Sequence, residues 1–457
     1  MRDRRWRALL AGLLVFSLIA AACGGDDEDE ETGTTDDTEA TDDTGGDGEA
    51  TEIETDFGVT DDTIRVGMIA DLSGIFAPLV VEIVEAQKVY FEMVNDNGGI
   101  AGREVELVIE DNAYDTTKHQ EIYERMRAES DEGVVWIGES TGTPHTASIA
   151  QLLVDDNLGA IPLSWYSGWP DPDFGQNVFE FQTNYCIEAI NGIDFIAREG
   201  GEKLAILSFP GDYGQDGAVG AKLAAEELGL EIVYDGEAKV VPGADQTPVI
   251  AELVDSGADW VWATINPGTL GEIMSGAAAE GFDANWSGNA PTYSFKLLGT
   301  ELAPLLDEHY YYSTYTVTWG EDVPGMETLV SEFQERRPDA PISDVYIRGW
   351  TEAMATHQIL EQAAENGDMT RAGVVAAANE IEVDFEGLAP AQRWGDVDVN
   401  ENLVRESYIY DIEQSEFNVV PVTEEGGSTG SVLAEGPFVS DLAEEYEYEG
   451  ACFAPQS

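Results

Sequence analysis

The chain has 457 residues, of which 43% are hydrophobic, so it is long and apolar enough to bury two or three domain-sized cores. Its 91 acidic residues and 21 lysines and arginines give a formal net charge of -70, which excludes nucleic acid and anionic membrane surfaces as partners and favours a protein kept soluble in salty surroundings. The 3 cysteines show no CxxC spacing, so the sequence predicts no metal site and no cofactor.

The N-terminus has the parts of a secretory signal. Four arginines precede an apolar run from Ala8 to Ala22, which at about fifteen residues is too short to span a bilayer. Three alanines then lead into Cys23 and resemble a bacterial lipobox, after which the cysteine carries a diacylglyceryl thioether. We therefore expect residues 1–22 to be a signal peptide and lipid on Cys23 to anchor the protein to the outer face of the bacterial cytoplasmic membrane. The alternative is an ordinary signal with an incidental cysteine.

An acidic segment follows the predicted lipidation site. Residues 24–56 contain 16 of the acidic side chains, no lysine or arginine, and little that is apolar except Ile53. Such a segment cannot bury enough surface to fold, and its like charges keep it extended. We predict that residues 23–56 form a disordered tether between the lipid and a folded body.

From Thr63 onward, short apolar runs alternate with helical patterns, which is typical of a parallel sheet covered by helices. The first series predicts strands at TIRVGMIAD, EVELVIED, VVWIGE, AIPLSW and VFEFQ, and helices at KHQEIYERMRAE, at ASIAQLLVDD and at a segment with Ile83, Ala86, Tyr90, Met93 and Val94 on one face. The second series predicts helices IEAINGIDFIARE, AVGAKLAAEEL, TPVIAELVDS and EIMSGAAAE between strands KLAILSF, EIVYDGEAKV and WVWATI. A third stretch predicts the long helix SDVYIRGWTEAMATHQILEQAAE and the extended segment ESYIYDIE. The chain thus predicts an α/β protein built from two successive units.

The segments TIRVGMIADLSG, VNDNGGIAGREVELVIEDNAYD, WIGESTGTPHTASIA, SFPGDYGQDG and YIRGWTEAMATHQILEQA occur in an order and spacing that resemble a known family. It is the branched-chain-amino-acid (Leu/Ile/Val-binding-like) type of extracytoplasmic solute-binding protein. The resemblance runs from about Asp62 to about Val422. It implies the type 1 periplasmic-binding-protein fold, with two Rossmann-like lobes that have parallel central sheets and are joined by three crossing segments. It also implies a ligand in the cleft, delivery to ABC permease subunits, and no enzymatic activity.

The resemblance also implies the order of the domains. We expect the first lobe at 57–183, the second lobe at 184–315, a return to the first lobe at 316–382, a return to the second lobe at 383–422, and a C-terminal extension at 423–457.

The densest polar loop is GESTGTPHTASIA, from Gly138 to Ala150. Its pattern predicts a strand end followed by a helix, with Thr143 as the N-cap and Pro144 at the first helical position. A helix N-terminus favours a carboxylate, and in the resembling family this loop holds the ligand's carboxylate. The residues that match are Ser140, Thr141, Gly142 and Thr143. The alternative is a capped helix that binds no ligand.

The same loop contains GxSxG, the motif of the α/β-hydrolase nucleophile, at Gly138, Ser140 and Gly142. A hydrolase also needs a later acid, a histidine beyond a late strand and an upstream oxyanion loop. The chain has 4 histidines, and none stands at such a place in the sequence. A serine hydrolase that uses Ser140 is therefore the less favoured alternative.

Further ligand-binding residues are implied by the resemblance. The loop SWYSGWPDP supplies Trp165, Tyr166 and Ser167 as a group, GDYGQ supplies Tyr213 from the second lobe, and the third stretch supplies Tyr346. The alternative for these residues is packing in a turn or in the core.

The sequence departs from the family at the site for the ligand's ammonium. Amino-acid-binding members place an acidic residue there, whereas this chain has no acid from Ser287 to Ser294. Because a buried ammonium without an anionic partner is costly, either Glu139 or Asp212 substitutes or the ligand lacks an ammonium. The expected ligand is an amino acid or a related carboxylate. Because Trp262, Trp286 and Tyr293 stand near the expected cleft, an amide, a keto acid or an aromatic carboxylate is the alternative ligand. A ligand sensor on the same fold is the alternative to transport.

Apart from Cys23, the cysteines are Cys186 and Cys452. Outside the membrane such a pair forms either a disulfide or two separate thiols, since sequence separation says nothing about proximity. A disulfide would pin the C-terminal extension to the start of the second lobe.

Overall fold

A computed structural model of the protein describes residues 53–395 and 397–454. The predicted signal peptide, Cys23 and residues up to 52 lie outside the described residues. The first group of elements is β1 (Glu54–Thr55), β2 (Thr63–Ala70), α1 (Ala77–Asp96), β3 (Glu104–Asp111), α2 (Thr116–Met126), β4 (Trp136–Thr141), α3 (Thr143–Ala147), α4 (Ala150–Asp155) and β5 (Ala160–Leu163). The second group is α5 (Tyr185–Arg198), β6 (Lys203–Ser208), α6 (Asp212–Leu228), β7 (Glu231–Gly236), α7 (Thr247–Ser256), β8 (Trp260–Thr264), α8 (Pro267–Ala279) and β9 (Asn285–Gly288).

The remaining elements begin after two 3-10 turns, at Ala290–Thr292 and Phe295–Gly299, and enclose a third at Gln414–Glu416. They are α9 (Ala303–His309), β10 (Tyr311–Thr314), α10 (Pro324–Arg336), α11 (Val345–Glu365), β11 (Asp368–Met369), α12 (Arg371–Ala378), β12 (Glu382–Val383), β13 (Gln392–Arg393), α13 (Val399–Asn402), β14 (Ser407–Ile412), β15 (Ser431–Phe438) and α14 (Asp441–Glu445). No helix of the described residues is long and apolar enough to cross a membrane.

Two parallel four-stranded sheets form the centres of two lobes. The first lobe has the strand order β3-β2-β4-β5, and the second lobe has the order β7-β6-β8-β9. Strands β4 and β8 are buried along their whole length, as expected of inner strands that are covered by helices on both faces. The predicted α/β fold with two Rossmann-like lobes is therefore confirmed.

The long helix α11 packs on α1 of the first lobe. A Cβ added at Gly349 would lie 2.1 Å from the carbonyl oxygen of Ile83, so a residue without a side chain lets the two helices approach closely. Trp350 packs edge-on against Tyr90 with ring centroids 4.8 Å apart. This close packing determines the direction in which the neighbouring residue, Arg348, projects.

A third sheet is antiparallel and joins distant parts of the chain. Its strand order is β10-β14-β15, so the segment that follows the second lobe pairs with two strands near the C-terminus. The C-terminal segment continues to Cys452, which forms a disulfide with Cys186 at the start of α5, with the Cα atoms 6.3 Å apart. Cys186 is fully buried, and the two cysteines are 266 residues apart in the chain.

The structure differs from two sequence expectations. Only Val178 of the predicted strand VFEFQ forms a bridge, to Ala160, because the chain leaves the sheet edge there to cross towards the second lobe. Residues 53–56 belong to the folded body rather than to the tether, because Glu54 and Thr55 pair with β11 and Ile53 packs against the core. The folded part thus begins before the end of the acidic segment.

Candidate ligand-binding site

A small cavity lies between the lobes, at the carboxyl ends of β4 and β5. This is where open parallel sheets bind ligands. Its volume is about 40 Å³, and its walls are mostly aliphatic and aromatic. The polar groups of its lining come from Thr141, Thr143, Arg348 and the tyrosines, and the lining includes no aspartate and no glutamate.

The two lobes touch each other over this cavity. The amide of Asn266 donates to the carbonyl oxygen of Ile75 at 3.0 Å, and Lys296 forms an ion pair with Glu82 at 3.0 Å. Each contact joins the region around the start of α1 to the second lobe. The structure therefore shows the cleft closed, and a ligand enters when these contacts open.

The start of α1 is held in place by a buried aspartate. Asp71 accepts hydrogen bonds from the backbone N–H groups of Gly74 at 2.5 Å and Phe76 at 2.8 Å. Burial raises the pKa of Asp71 above its ordinary value, although the hydrogen bonds from these N–H groups oppose the shift. The turn places the ring of Phe76 against the ring of Tyr213 from the second lobe, with the centroids 5.8 Å apart. Phe76 thus supplies an apolar wall of the cavity.

Strand β4 extends further into the polar loop than the sequence predicts. Strand β4 extends to Thr141, and helix α3 begins at Thr143, one residue earlier than expected. The N-cap is therefore Gly142, not Thr143, and its φ of 99° is favourable only for glycine. Thr143 instead shares a hydrogen bond of 2.7 Å between its hydroxyl and that of Ser164.

Thr141 and Ser140 point to opposite faces of the sheet, as adjacent strand residues do. Thr141, Gly142 and Thr143 line the cavity, whereas Ser140 does not. The hydroxyl of Ser140 lies 2.7 Å from that of Thr146 and 3.2 Å from Nε2 of His119, and the side chain is fully buried. The structure therefore brings three of the four predicted loop residues to the cleft and places the fourth in the interior of the first lobe.

The contact between Ser140 and His119 does not make a nucleophile. Tyr114 N–H donates to Oδ1 of Asn112, so the amide of Asn112 donates to Nδ1 of His119 at 3.0 Å. With Nδ1 as an acceptor, the proton of the neutral imidazole is on Nε2 and points at Ser140. Burial lowers the pKa of His119 to about 3, so the ring stays neutral. His119 cannot take a proton from Ser140 in this tautomer, and the pair has no access to a substrate.

Five aromatic rings line the cavity and pack on one another. The rings of Tyr213 and Tyr185 lie 4.9 Å apart, and Tyr213 donates its hydroxyl to the carbonyl oxygen of Ile265 at 2.6 Å. Trp165 packs against Tyr185 at 5.5 Å, and Tyr114 packs against Phe76 at 5.0 Å. The predicted residues Trp165 and Tyr213 are thus in the lining.

Three other predicted residues lie elsewhere. The hydroxyl of Tyr166 donates to the carbonyl oxygen of Phe453, and the hydroxyl of Ser167 donates to Asp216 at 2.5 Å, so both bind the second lobe or the C-terminal segment outside the cavity. Tyr346 is buried and stacks on Phe333 of α10 with centroids 4.1 Å apart, and it does not line the cavity.

Arg348 is the charged lining residue that sequence reasoning missed. It is 3% exposed, and its guanidinium lies over the ring of Trp165, 5.5 Å from the centroid. Among the described residues only its Nη2 donates, to the hydroxyl of Tyr312 and to the carbonyl oxygen of Ala290. Burial lowers the pKa of Arg348, but Tyr312, Tyr315 and Glu188 outweigh this effect and raise it, so the side chain is charged. The signal in the sequence was a lone arginine on the buried side of a long helix.

The buried acids near the cleft are engaged elsewhere. Glu139 accepts from Thr141 at 2.7 Å, and Gln87 donates to both Glu139 and Glu352 behind the cavity wall. Burial raises the pKa of both glutamates, so they do not both carry charge at neutral pH. Glu188 accepts from Asn289 at 2.7 Å and from the amide of Ala290 at 3.0 Å.

No acid is therefore free to receive an ammonium in this cavity. Asp212 begins α6 beside the cleft but is not among the lining residues. Among the described residues, no group of three or more histidine, cysteine, aspartate or glutamate side chains is arranged to hold a metal ion.

Comparisons with known proteins agree with this architecture. The family model for periplasmic binding proteins matches residues 63–416, and the chain belongs to this family. A search of curated protein sequences found no match. The family and the similar structures are solute-binding proteins rather than enzymes, and the similar structures include substrate-binding proteins of ABC transporters.

Several solved structures are similar over most of the chain. A fatty acid ABC transporter substrate-binding protein from Thermomonospora curvata is 28% identical, with a TM-score of 0.75, and the match covers 86% of this chain and 97% of that one. A branched-chain amino acid ABC transporter protein from Thermus thermophilus with bound valine is 20% identical, with a TM-score of 0.70 and coverages of 86% and 98%. A solute-binding protein from R. palustris in complex with 4-hydroxybenzoate is 15% identical, with a TM-score of 0.63 and coverages of 79% and 95%. The last two likenesses concern the fold alone.

Proposed function

We propose that this protein is a lipid-anchored receptor that captures an apolar carboxylate, such as a fatty acid or an aromatic acid, and delivers it to an ABC importer. The observation that carries the proposal is Arg348. A buried cation is costly, and among the described residues no carboxylate lies within ion-pair distance of Arg348. Glu188 acts on it only from further away, and burial raises the pKa of Glu188 to about 8. A ligand carboxylate at the cavity supplies the missing negative charge, and the hydroxyl of Thr143 adds a donor, whereas that of Thr141 already donates to Glu139.

The remaining lining supports an apolar body without an ammonium. Phe76, Trp165 and Tyr213 supply hydrophobic contact, and the lining contains no acid. An α-amino acid would bury its ammonium without an anionic partner, which costs several kcal/mol. A neighbour whose name includes a fatty acid, at 28% identity, supports the same ligand class.

A thermal-shift screen tests this proposal. Octanoate and benzoate serve as apolar carboxylates, octanamide and benzamide as neutral matches, and leucine and valine as amino acids. We expect at least one carboxylate to raise the melting temperature and its amide to have a much smaller effect, because ligands stabilise the state that they bind. Stabilisation by the amino acids alone would contradict the proposal.

The polar loop offers a direct test with an internal control. We expect Thr143→Val to weaken binding of the carboxylate found in that screen about tenfold, because a hydrogen bond to a charged group contributes roughly 1.5 to 3 kcal/mol. Ser140→Ala should leave the affinity unchanged and lower the free energy of unfolding by about 1 kcal/mol, since its hydroxyl is bonded inside the lobe. Calorimetry and urea unfolding measure the two effects. A tenfold affinity loss in Ser140→Ala with no effect of Thr143→Val would place the carboxylate inside the first lobe instead.

The lipid anchor has its own test. Cys23 follows three alanines and precedes the acidic segment, which together motivate lipidation. We expect Cys23→Ser to move the protein from the membrane fraction to the soluble fraction, because an acidic body does not bind an anionic membrane by itself. Cell fractionation and mass spectrometry of the N-terminal peptide measure this. Retention in the membrane after a salt wash would refute the anchor.

A further inference from the structure

A second cavity lies outside the cleft, and we call it the side cavity. Its volume is about 330 Å³, which is within the range of small-molecule sites. One wall comes from residues 169–184, which follow β5, and the other from residues 379–395 and 397–404, which precede β14. It shares no lining residue with the cavity between the lobes.

Three aromatic residues, Trp169, Phe179 and Trp394, are in this lining. Trp169 is 1% exposed, and the ring of Phe179 packs edge-on against that of Trp394 with centroids 5.5 Å apart. The indole N–H of Trp394 donates to the carbonyl oxygen of Glu180 at 2.6 Å, which ties the two walls together. Aromatic faces attract cations through their quadrupole, so this lining suits a positively charged group attached to an apolar body.

A buried carboxyl group without a partner lines the side cavity. Glu180 is 7% exposed, and its Oε1 has no hydrogen-bond partner among the described residues. Buried polar atoms are ordinarily paired, so an unpaired carboxyl oxygen calls for a ligand group. Burial raises the pKa of Glu180 well above its usual range, and the charge of Asp216 raises it further. A bound cation would oppose this shift and favour the charged carboxylate.

The charge of the side cavity selects the sign of its ligand. The lining includes Asp171 and Glu180 and contains no lysine, arginine or histidine. The net charge of the whole chain, -70, also concentrates cations near the surface and repels anions. This is the opposite of the cavity between the lobes, where the buried charge is that of Arg348.

We propose that the side cavity binds a small organic cation, an ammonium on an apolar or aromatic body, whose N–H groups donate to Glu180. The site is independent of the proposed carboxylate site, because neither its residues nor the sign of its charge are shared with that site.

The probe for this proposal is 2-phenylethylammonium, and 2-phenylethanol is its uncharged match. Calorimetry on the purified full-length protein should show the ammonium binding at least about tenfold more tightly than the alcohol. Glu180→Gln should weaken the ammonium about ten- to hundredfold and leave the alcohol unchanged. Asp173→Asn removes the same charge from an exposed residue outside the lining, so its effect should stay within about twofold. Equal affinities for the two probes in the wild-type protein, or an unchanged ammonium affinity in Glu180→Gln, would overturn the proposal.

A crystal soaked with 2-(4-bromophenyl)ethylammonium locates the site without any variant. We expect the anomalous bromine peak among Trp169, Phe179 and Trp394, with the ammonium within hydrogen-bond distance of Glu180. A peak in the cleft between the lobes, or no peak in the side cavity, would overturn the proposal.

Discussion

Replacing Arg348 by methionine should weaken the binding of an apolar carboxylate about a hundredfold or more. The guanidinium is the only cation in the cavity lining, and two charge-assisted hydrogen bonds to a buried carboxylate contribute roughly 3 kcal/mol or more together. The free energy of unfolding without ligand should fall by no more than about 1 kcal/mol, because the substitution also removes a buried charge that no carboxylate pairs with at close range. Calorimetry and urea unfolding measure the two quantities.

Arg371 provides the control for this prediction. It is also 3% exposed, but its guanidinium donates to the backbone carbonyl oxygens of Val134, Arg127 and Ala128 in the first lobe. We expect Arg371→Met to lower the free energy of unfolding by about 2 to 3 kcal/mol, because it leaves buried carbonyl groups unpaired, and to leave the ligand affinity unchanged. If Arg348→Met behaved like Arg371→Met, Arg348 would be a structural residue and the carboxylate would bind elsewhere.

Removing the Cys186–Cys452 disulfide should lower the free energy of unfolding by about 2 to 4 kcal/mol. The crosslink spans 266 residues, so in the chain-entropy model it strongly restricts the unfolded chain, although measured effects are usually smaller than that model gives. The double variant Cys186→Ala and Cys452→Ser should therefore unfold at a lower urea concentration than the oxidised wild-type protein. Urea unfolding followed by tryptophan fluorescence measures the difference.

Reduction of the wild-type protein is the control for the disulfide. Dithiothreitol should lower the stability of the wild-type protein to nearly that of the double variant and should not affect the variant. Peptide mapping under non-reducing conditions should recover the peptides of Cys186 and Cys452 joined together. Two separately alkylated cysteines in the folded protein would contradict the pairing.

Much of the fold could be predicted from the sequence, because local periodicity reports which elements form. The patterns at TIRVGMIAD and EVELVIED match β2 and β3, and the long helical pattern of the third stretch matches α11. Apart from the predicted strand VFEFQ, which does not form, the errors are at the ends of these elements. Strand β4 continues to Thr141, beyond the predicted end at Glu139, so the alternation of a strand decides that Ser140 faces the interior and Thr141 faces the cleft.

The binding site was less predictable, because it depends on contacts between residues far apart in the chain. The sequence and its family resemblance directed attention to Thr141, Gly142, Thr143, Trp165 and Tyr213, all of which line the cavity. They did not single out Arg348, although it stands beside the predicted Tyr346. Which face of α11 meets the cleft depends on the close approach of Gly349 to Ile83, and no pattern within the helix encodes that approach.

The sequence by itself determined the class of this protein: two α/β units in the order of a periplasmic binding protein, a strongly acidic body, and no acid at the position where amino-acid binders receive an ammonium. These properties are carried by the composition, by the spacing of side chains along short segments, and by the order of those segments. The tertiary structure alone decided that Arg348 enters the cleft, that Cys186 meets Cys452, and that Glu180 lines a second cavity without a partner. The physical reason is that burial and pairing of a polar group depend on which surfaces pack together, and packing brings together residues whose distance along the chain carries no information about their distance in space.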